Sequence, residues 1–397
     1  MKQLIVLILT ACLWPFRLTA QAADPVQESI LQFKATCAPD KRTAIVAISA
    51  LKTDSCYLLK GETDQPAGKQ AFLESLQKAG ICFKDSIRML PDTALGHKTY
   101  GLVNLSVICM RSGPDYMDGL DTQTTLGAPV RILEKRGWWR IQSADGYLGW
   151  THYSSIVPVT KEELEAWNKA PKIVVTAIQT YGYTRPDTRS QTVSDLIAGN
   201  RLKFLKRQGG FYLAGYPDGR KGWVPVTDCT PEKDWLESRR PDAKHLIATA
   251  YRMMGFPYLW GGTSVKGMDC SGFVKTCAFL NGLLLTRDAS QMAYTGERYA
   301  SGDYNDWKPG ALLFFGRPAM DGKKERVSHV ALYMGDGRFI HSMGYVHTGS
   351  FNPSDRDYDQ FNKDRFLWAV NILDHIGTRG IRLIKDTPLY RSRITGH

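Results

Sequence analysis

The sequence predicts a multidomain chain in which a small α+β module and two small all-β barrels precede a larger α+β domain. Two observations carry that reading. A pattern running from Arg111 to Trp150 returns from Arg185 to Trp223, with short strands, closely spaced turn signals and no long helical period. Further on, Phe273, Val274, Cys277, Ala278 and Leu280 follow helical spacing, and Ser328 to Met334 and Arg338 to His341 read as strands flanking Gly335-Asp336-Gly337. At 397 residues, 43% hydrophobic and 23% charged, the chain is longer than one usual domain and globular in composition, so several cores are expected.

The elements follow in chain order. Lys2, the apolar run Leu4 to Trp14 and the small residues ending Ala20-Gln21-Ala22 read as a secretory signal over 1–22. Leu9-Thr10-Ala11-Cys12 offers a second reading, a lipoprotein anchored at Cys12. The apolar run is too short to span a bilayer, Pro15 and Arg17 interrupt its end, and no later segment is apolar over sufficient length. An exported protein of the periplasm or cell envelope is expected, with no integral membrane segment after signal removal. Residues 23–98 read as the α+β module: a helical stretch, a strand at Ala44 to Leu51, an amphipathic helix at Gly68 to Ala79 and a strand at Ile87 to Leu90.

The repeat places the barrels at 99–158 and 173–231. Pro114-Asp115 matches Pro186-Asp187, Gly127 matches Gly199, and Ile132-Leu133 matches Phe204-Leu205, all offset by 72 residues. After the turn glycines the offset becomes 73, so that Trp139 matches Tyr212 and Gly149-Trp150 matches Gly222-Trp223. One extra residue at Gly209-Gly210, in a lengthened hairpin turn, accounts for the shift. A charged helical piece within the linker 159–172 joins the barrels, and the proline- and charge-rich linker 232–244 leads to the last domain, 245–397.

Removing Lys2 and Arg17 with the signal takes the formal net charge from +12 to +10. A basic surface steers toward acidic partners, but the charges are spread rather than run together and equally suit a solvated surface; no nucleic-acid partner is expected. The densest stretch, Arg379 to Arg393, reads as an exposed C-terminal arm. Of the eight cysteines, Cys12 leaves with the signal, and Cys277 sits two helical turns, about 10 Å, from Cys270 and is too distant to bridge it. Cys37, Cys56, Cys82, Cys109, Cys229 and Cys277 either pair or serve as small buried apolar groups. No Cys-x-x-Cys pair of the zinc type occurs, and neither metal nor cofactor is expected.

The chemistry gathers at Asp269-Cys270-Ser271-Gly272-Phe273. With Asp269 as cap, Cys270 opens a helix whose unpaired N–H groups favour the thiolate, the nucleophilic form, over a thiol of pKa about 8.5. Asp269 opposes this by its charge, so a base is needed nearby. His329 and His341 lie on the two strands; a hairpin turning at Gly335 or Asp336 sets residue 329 opposite 341 or 342, where Cβ atoms on one face lie about 4.5–5.5 Å apart. His341 then holds the ring of His329 and fixes its tautomer, leaving the other nitrogen to take the thiol proton.

These residues, with Tyr258-Leu259-Trp260-Gly261-Gly262 ten residues upstream and the Ser328-His329-Val330 strand, resemble the NlpC-type cell-wall cysteine peptidases, a papain-like family. The resemblance covers roughly 240 to 375. It implies Cys270 as nucleophile, His329 as base, His341 as orienter and Tyr258 with the Cys270 N–H as oxyanion donors. Asp269, Ser271 and Trp260 are implied as substrate-pocket residues, and Ser290 as another, because Thr286-Arg287-Asp288-Ala289-Ser290-Gln291 resembles a family segment that usually opens with proline. At Gly310-Ala311 the family commonly has Gly-Asp, a departure read as structural. The repeats resemble bacterial SH3-like domains.

Relatives of this layout cleave the bond between γ-D-glutamate and a diamino acid in peptidoglycan stem peptides, so stem peptides or released muropeptides are the expected partners of a monomeric enzyme. In such relatives the first SH3-like domain closes the cleft and recognises a free N-terminal L-alanine. Tyr147 is the aromatic expected here, with an acid near Asp118 or Asp121. Two other functions share these features: a Cys-His amidase or acyltransferase on another acyl substrate, and a cell-wall-binding scaffold with a dormant peptidase domain.

Overall fold

The computed structural model describes residues 24–320 and 322–391; the signal-like segment, Cys12 and the end of the basic C-terminal stretch lie outside them. The described residues fall into two compact units, one from 24–39 and 46–88, the other from 40–45, 89–320 and 322–391. No helix among the described residues is long and apolar enough to cross a membrane.

In the first unit, helices Pro25–Cys37 and Pro66–Lys78 accompany a three-stranded sheet of Val46–Lys52, Tyr57–Thr63 and Phe83–Met89. Asp24 caps the first helix by accepting from the Val26 N–H, and Pro25 occupies the first turn, where its missing N–H costs nothing. Val26, Ile30, Phe33, Ile48, Leu59, Phe72 and Leu76 form the core. The strand Tyr57–Thr63 was not foreseen, because its burial is irregular rather than alternating. Cys56 and Cys82 are joined by a disulfide, while Cys37, Cys109, Cys229, Cys270 and Cys277 are free thiols.

The second unit carries the repeat as two seven-stranded sheets, each closed around its own core, Ile108, Met110, Val130 and Ile132 in one and Leu196, Leu202, Ala214 and Val224 in the other. Equivalent residues pair equivalently: Arg111 with Trp150, and Tyr183 with Trp223. Both central hairpins contain a bulge, between Ile132 and Glu134 and between Phe204 and Lys206. Gly137 alone separates Arg136 from Trp138, whereas Gly209 and Gly210 separate Gln208 from Phe211, which locates the extra residue in the turn. Between the barrels, helix Lys161–Lys169 begins at a reciprocal capping box of Thr160 and Glu163. Part of the second expected linker is also helical, Glu232–Ser238, with Trp235 buried and Glu232 paired to Lys172 and Arg201.

The last domain is α+β. Its antiparallel sheet runs in the order Glu297–Arg298, Phe366–Asn371, Leu312–Arg317, Arg326–Gly335, Arg338–Met343 and Tyr345–Ser350. One core gathers Phe273, Val274 and Cys277 of helix Cys270–Leu280 with Phe314, Val330, Leu332 and Ile340 of the sheet. The alternate strand residues Leu313, Phe315, Ala331, Tyr333 and Phe339 form a second, aromatic core with Trp307 and Phe351, as the two-residue period of a sheet buried on both sides requires.

As far as Arg391 the C-terminal stretch is not an exposed arm. Ile381–Leu383 pairs with Leu283–Leu285, Ile384 and Leu389 are buried, and Tyr390 lies 4.6 Å from the Arg201 guanidinium carbon. Its charged residues concealed an apolar set that docks on the domain.

Candidate active site

Helix Cys270–Leu280 begins at Asp269, whose Oδ1 accepts from the Gly272 N–H at 2.7 Å. Gly272 has no room for a side chain: a Cβ there would fall 1.9 Å from the Gly262 carbonyl oxygen. Gly261 adopts φ +76°, and its Cβ position is 2.3 Å from the Leu120 carbonyl oxygen of the first barrel. The glycines of both motifs therefore let three backbones meet at the start of the cysteine helix. Cys270 itself is 7% exposed. Burial and then Asp269 push its thiol up to about 11, against which the backbone N–H groups of Val330 and Ser271 act by bonding to the sulfur.

Val330 follows His329 on the strand Arg326–Gly335, so that N–H contact brings the histidine strand to the thiol. His329 Nε2 and His341 Nδ1 lie 2.9 Å apart, both rings buried. Their registry differs from the expectation. The turn is Asp336-Gly337, with Gly335 opposite Arg338; past a bulge between Tyr333 and Gly335, Leu332 stands opposite Ile340, and continued along the strands that register sets 343, not 341 or 342, opposite 329. His341 is thus the diagonal neighbour on the same face, still within reach of a ring nitrogen. Burial holds His329 well below the usual histidine range and brings His341 down to about 3, so both imidazoles are neutral around pH 7.

Asp269 is also one half of a buried ion pair. Arg287, 1% exposed, reaches its Oδ1 at 3.1 Å and Oδ2 at 2.6 Å, and donates to Ser271 Oγ at 2.9 Å and to Thr122 Oγ1 of the first barrel at 2.9 Å. Tyr258 is half-buried; burial, Cys270 and Asp269 raise its pKa, so the phenol keeps its proton. Trp260 stands 73% exposed beside it in the chain.

Tyr147 is buried, and its hydroxyl donates to Asp288 Oδ2 at 3.2 Å. The direct acidic partner is therefore Asp288, and not the Asp118 or Asp121 expected, although Asp121 lies close enough to act on both Tyr147 and Asp288 electrostatically. Ser290 Oγ accepts from Arg42 Nη1 at 2.9 Å, and the same nitrogen reaches Asp288 Oδ2 at 2.7 Å. Arg42 is held bidentately by Asp40, which also accepts from Gln291 Nε2 at 2.8 Å. Sequence reasoning missed Arg42, Arg287 and Asp288. The last two stand in a segment singled out for Ser290, whereas Arg42 carries no local signal of its place in the site, since its contacts with Asp288 and Ser290 span 246 and 248 residues. Among the described residues no His, Cys, Asp or Glu group is arranged to hold a metal ion.

Residues 255–362 match the NlpC/P60 family, and residues 110–156 match the bacterial dipeptidyl-peptidase Sh3 domain. A γ-D-glutamyl-L-lysine dipeptidyl-peptidase of Bacillus cereus is 31% identical over 232 residues, covering 56% of this chain and 67% of that protein. The chain belongs to the NlpC/P60 family. As a member it is a cysteine peptidase, with SH3-like domains ahead of its catalytic domain. Dipeptidyl-peptidase 6 of Lysinibacillus sphaericus is 23% identical over 281 residues, covering 66% of this chain and 96% of that one. Among solved structures, an NlpC/P60 family protein from Bacillus cereus shares the fold with a TM-score of 0.59 at 24% identity, over 69% of this chain and 99% of the other.

Proposed function

We propose that this NlpC/P60 peptidase is exported, acts as a monomer and hydrolyses the γ-D-glutamyl-diamino acid bond of peptidoglycan stem peptides, releasing L-Ala-D-Glu from fragments with a free N-terminal L-alanine. The observation that carries the chemistry is the 2.9 Å contact of His329 and His341 on the strand whose Val330 N–H meets the Cys270 sulfur. With His329 Nε2–H donating to His341 Nδ1, Nδ1 of His329 is the nitrogen left to take the thiol proton. The resting thiol and imidazole are both neutral, so proton transfer accompanies attack of the sulfur on the γ-carbonyl carbon. Oxyanion charge is met by the Cys270 N–H, which has no intrahelical partner at the first helical position, and by the protonated Tyr258 hydroxyl. As the C–N bond breaks, the His329 imidazolium gives its proton to the leaving amine; it then deprotonates the water that hydrolyses the thioester.

Charge balance supports the choice of substrate. Around Tyr147 the cations Arg287 and Arg42 face the four carboxylates of Asp269, Asp40, Asp288 and Asp121, an excess of two negative charges. An ammonium group at the substrate N-terminus supplies a charge of the missing sign. We take Asp269 and Ser271, held by Arg287, Ser290, held by Arg42, and the exposed Trp260 as the substrate-pocket residues. The barrel wall bearing Tyr147 limits the length of peptide that fits on that side. Incubation with L-Ala-γ-D-Glu-diaminopimelate and its N-acetylated form, read by mass spectrometry, tests the proposal. Release of L-Ala-D-Glu from the free peptide alone is expected, and equal cleavage of both would overturn the amine requirement. The names of the similar proteins, dipeptidyl-peptidases acting at γ-D-glutamyl-L-lysine, accord with this substrate class.

A further inference from the structure

His341 carries an unmet donor at its far side. Its Nδ1 is taken by His329, which places the ring hydrogen of His341 on Nε2. That Nε2 is buried and has no hydrogen-bond partner, in a residue 0% exposed. A buried polar group left in this state is costly unless a partner moves in. The carboxylate facing it is Asp359, whose Oδ2 stands 4.0 Å away. Asp359 precedes the short helix Gln360–Asp364; its Oδ1 accepts from the Asn362 N–H at 2.9 Å and its Oδ2 from Asn362 Nδ2 at 2.5 Å, which leaves Oδ2 a second lone pair toward His341.

We propose that Asp359 is a positioning residue that extends the array to Cys270, His329, His341 and Asp359, closing on His341 Nε2–H when positive charge forms on the imidazoles. This rests on the assignment of Cys270, His329 and His341 made above. The surroundings show why a carboxylate is needed. His341 faces His329 on one neighbouring strand, His347 on the other with ring centroids 4.4 Å apart, and Arg365 after the short helix. Arg365 and His347 disfavour an imidazolium at His341; Asp359 opposes them from the remaining side. When His329 takes the proton of Cys270, its Nε2–H bond to His341 tightens, and His341 Nε2–H gains acidity in turn. A carboxylate one short shift away lowers the energy of that charged arrangement and does little for the neutral resting one, which is the requirement for acceleration.

Asp359→Asn and Asp359→Ser both keep a side chain that caps a helix, so the fold is retained while the charge is lost. Each variant is expected to lower kcat about tenfold with KM nearly unchanged. The sign of the pH effect follows from removing a negative charge beside the thiol-imidazole pair. The protonated pair loses stability, the deprotonated pair gains it, and both limbs of the kcat/KM bell move to lower pH. Iodoacetamide alkylation of Cys270, followed against pH without substrate, should move in the same direction. A plateau and limbs equal to those of the unsubstituted enzyme would overturn the proposal, as would a lower plateau with unmoved limbs, the sign of a purely structural role. His329→Ala measured beside them separates the two assignments: if Cys270 alkylation is indifferent to His329, the underlying triad fails. If it depends on His329 but not on Asp359, only the extension fails.

Discussion

Replacing Asp288 by Asn tests how the neighbouring barrel and the catalytic domain together select the substrate. Asp288 Oδ2 receives the Tyr147 hydroxyl at 3.2 Å and Arg42 at 2.7 Å, and its side chain is 27% exposed. Asn retains an oxygen acceptor and the ability to cap the helix Ala289–Met292, so the change removes charge with little alteration of shape. An ammonium about 4 Å from a carboxylate gains about 4 kcal/mol at an effective dielectric of about 20, before desolvation is subtracted. Net values for charged hydrogen bonds are about 1.5–3 kcal/mol, and partial exposure favours the lower end, so roughly a tenfold loss of kcat/KM is expected. The assay compares L-Ala-γ-D-Glu-L-Lys with its N-acetylated form. Asp288→Asn should lose activity on the free peptide and narrow the ratio between the two. An unchanged ratio would refute recognition of the amine through this carboxylate.

Four further outcomes follow from the geometry. His329→Ala should lower kcat about a thousandfold or more and His341→Ala about ten- to a hundredfold, since one removes the proton acceptor and the other its orientation; single-turnover rates decide the order. Arg287→Met strands the buried Asp269 carboxylate and should cost about 3–5 kcal/mol in urea unfolding; a loss below about 1 kcal/mol would show the pair to be dispensable. Gly272→Ala drives a Cβ toward the Gly262 carbonyl and should destabilise by about 1–3 kcal/mol, visible as a lower Tm. Because His341 is held neutral down to about 3 against an unfolded value of about 6.5, the unfolded state binds the extra proton between those pH values. Stability should therefore fall as pH drops through this window, and His341→Asn should flatten the slope; an identical slope would contradict the buried neutral imidazole.

The parts legible in the sequence are those written locally. The apolar period from Phe273 to Leu280 and the cap at Asp269 announced the cysteine helix, and the glycine turn at 335–337 announced the hairpin. The repeat could be read because equivalent tryptophans and glycines hold equivalent places in two barrels, down to the extra residue at Gly209-Gly210. Register was less legible: the hairpin closes with Gly335 opposite Arg338, later than a turn at Gly335 or Asp336, and the bulge before Gly335 takes back only one residue of that shift, so the partner of His329 moved to 343. Contacts across long separations that no motif carries were not legible. Arg42 meets Asp288, and Arg287 meets Thr122, through tertiary packing that leaves no spacing behind. The C-terminal stretch was misread for a related reason, because its lysines and arginines outweigh Ile381, Ile384 and Leu389 in any count by composition.

Cys270→Ala tests the central claim most directly. The variant should fold, with an unfolding midpoint close to that of the unsubstituted enzyme, and should release no L-Ala-D-Glu from L-Ala-γ-D-Glu-diaminopimelate by mass spectrometry under conditions where the unsubstituted enzyme consumes the peptide. A folded Cys270→Ala variant that still cleaves that bond at a comparable rate would contradict the assignment of the nucleophile, and with it the mechanism built on His329, His341 and Asp359.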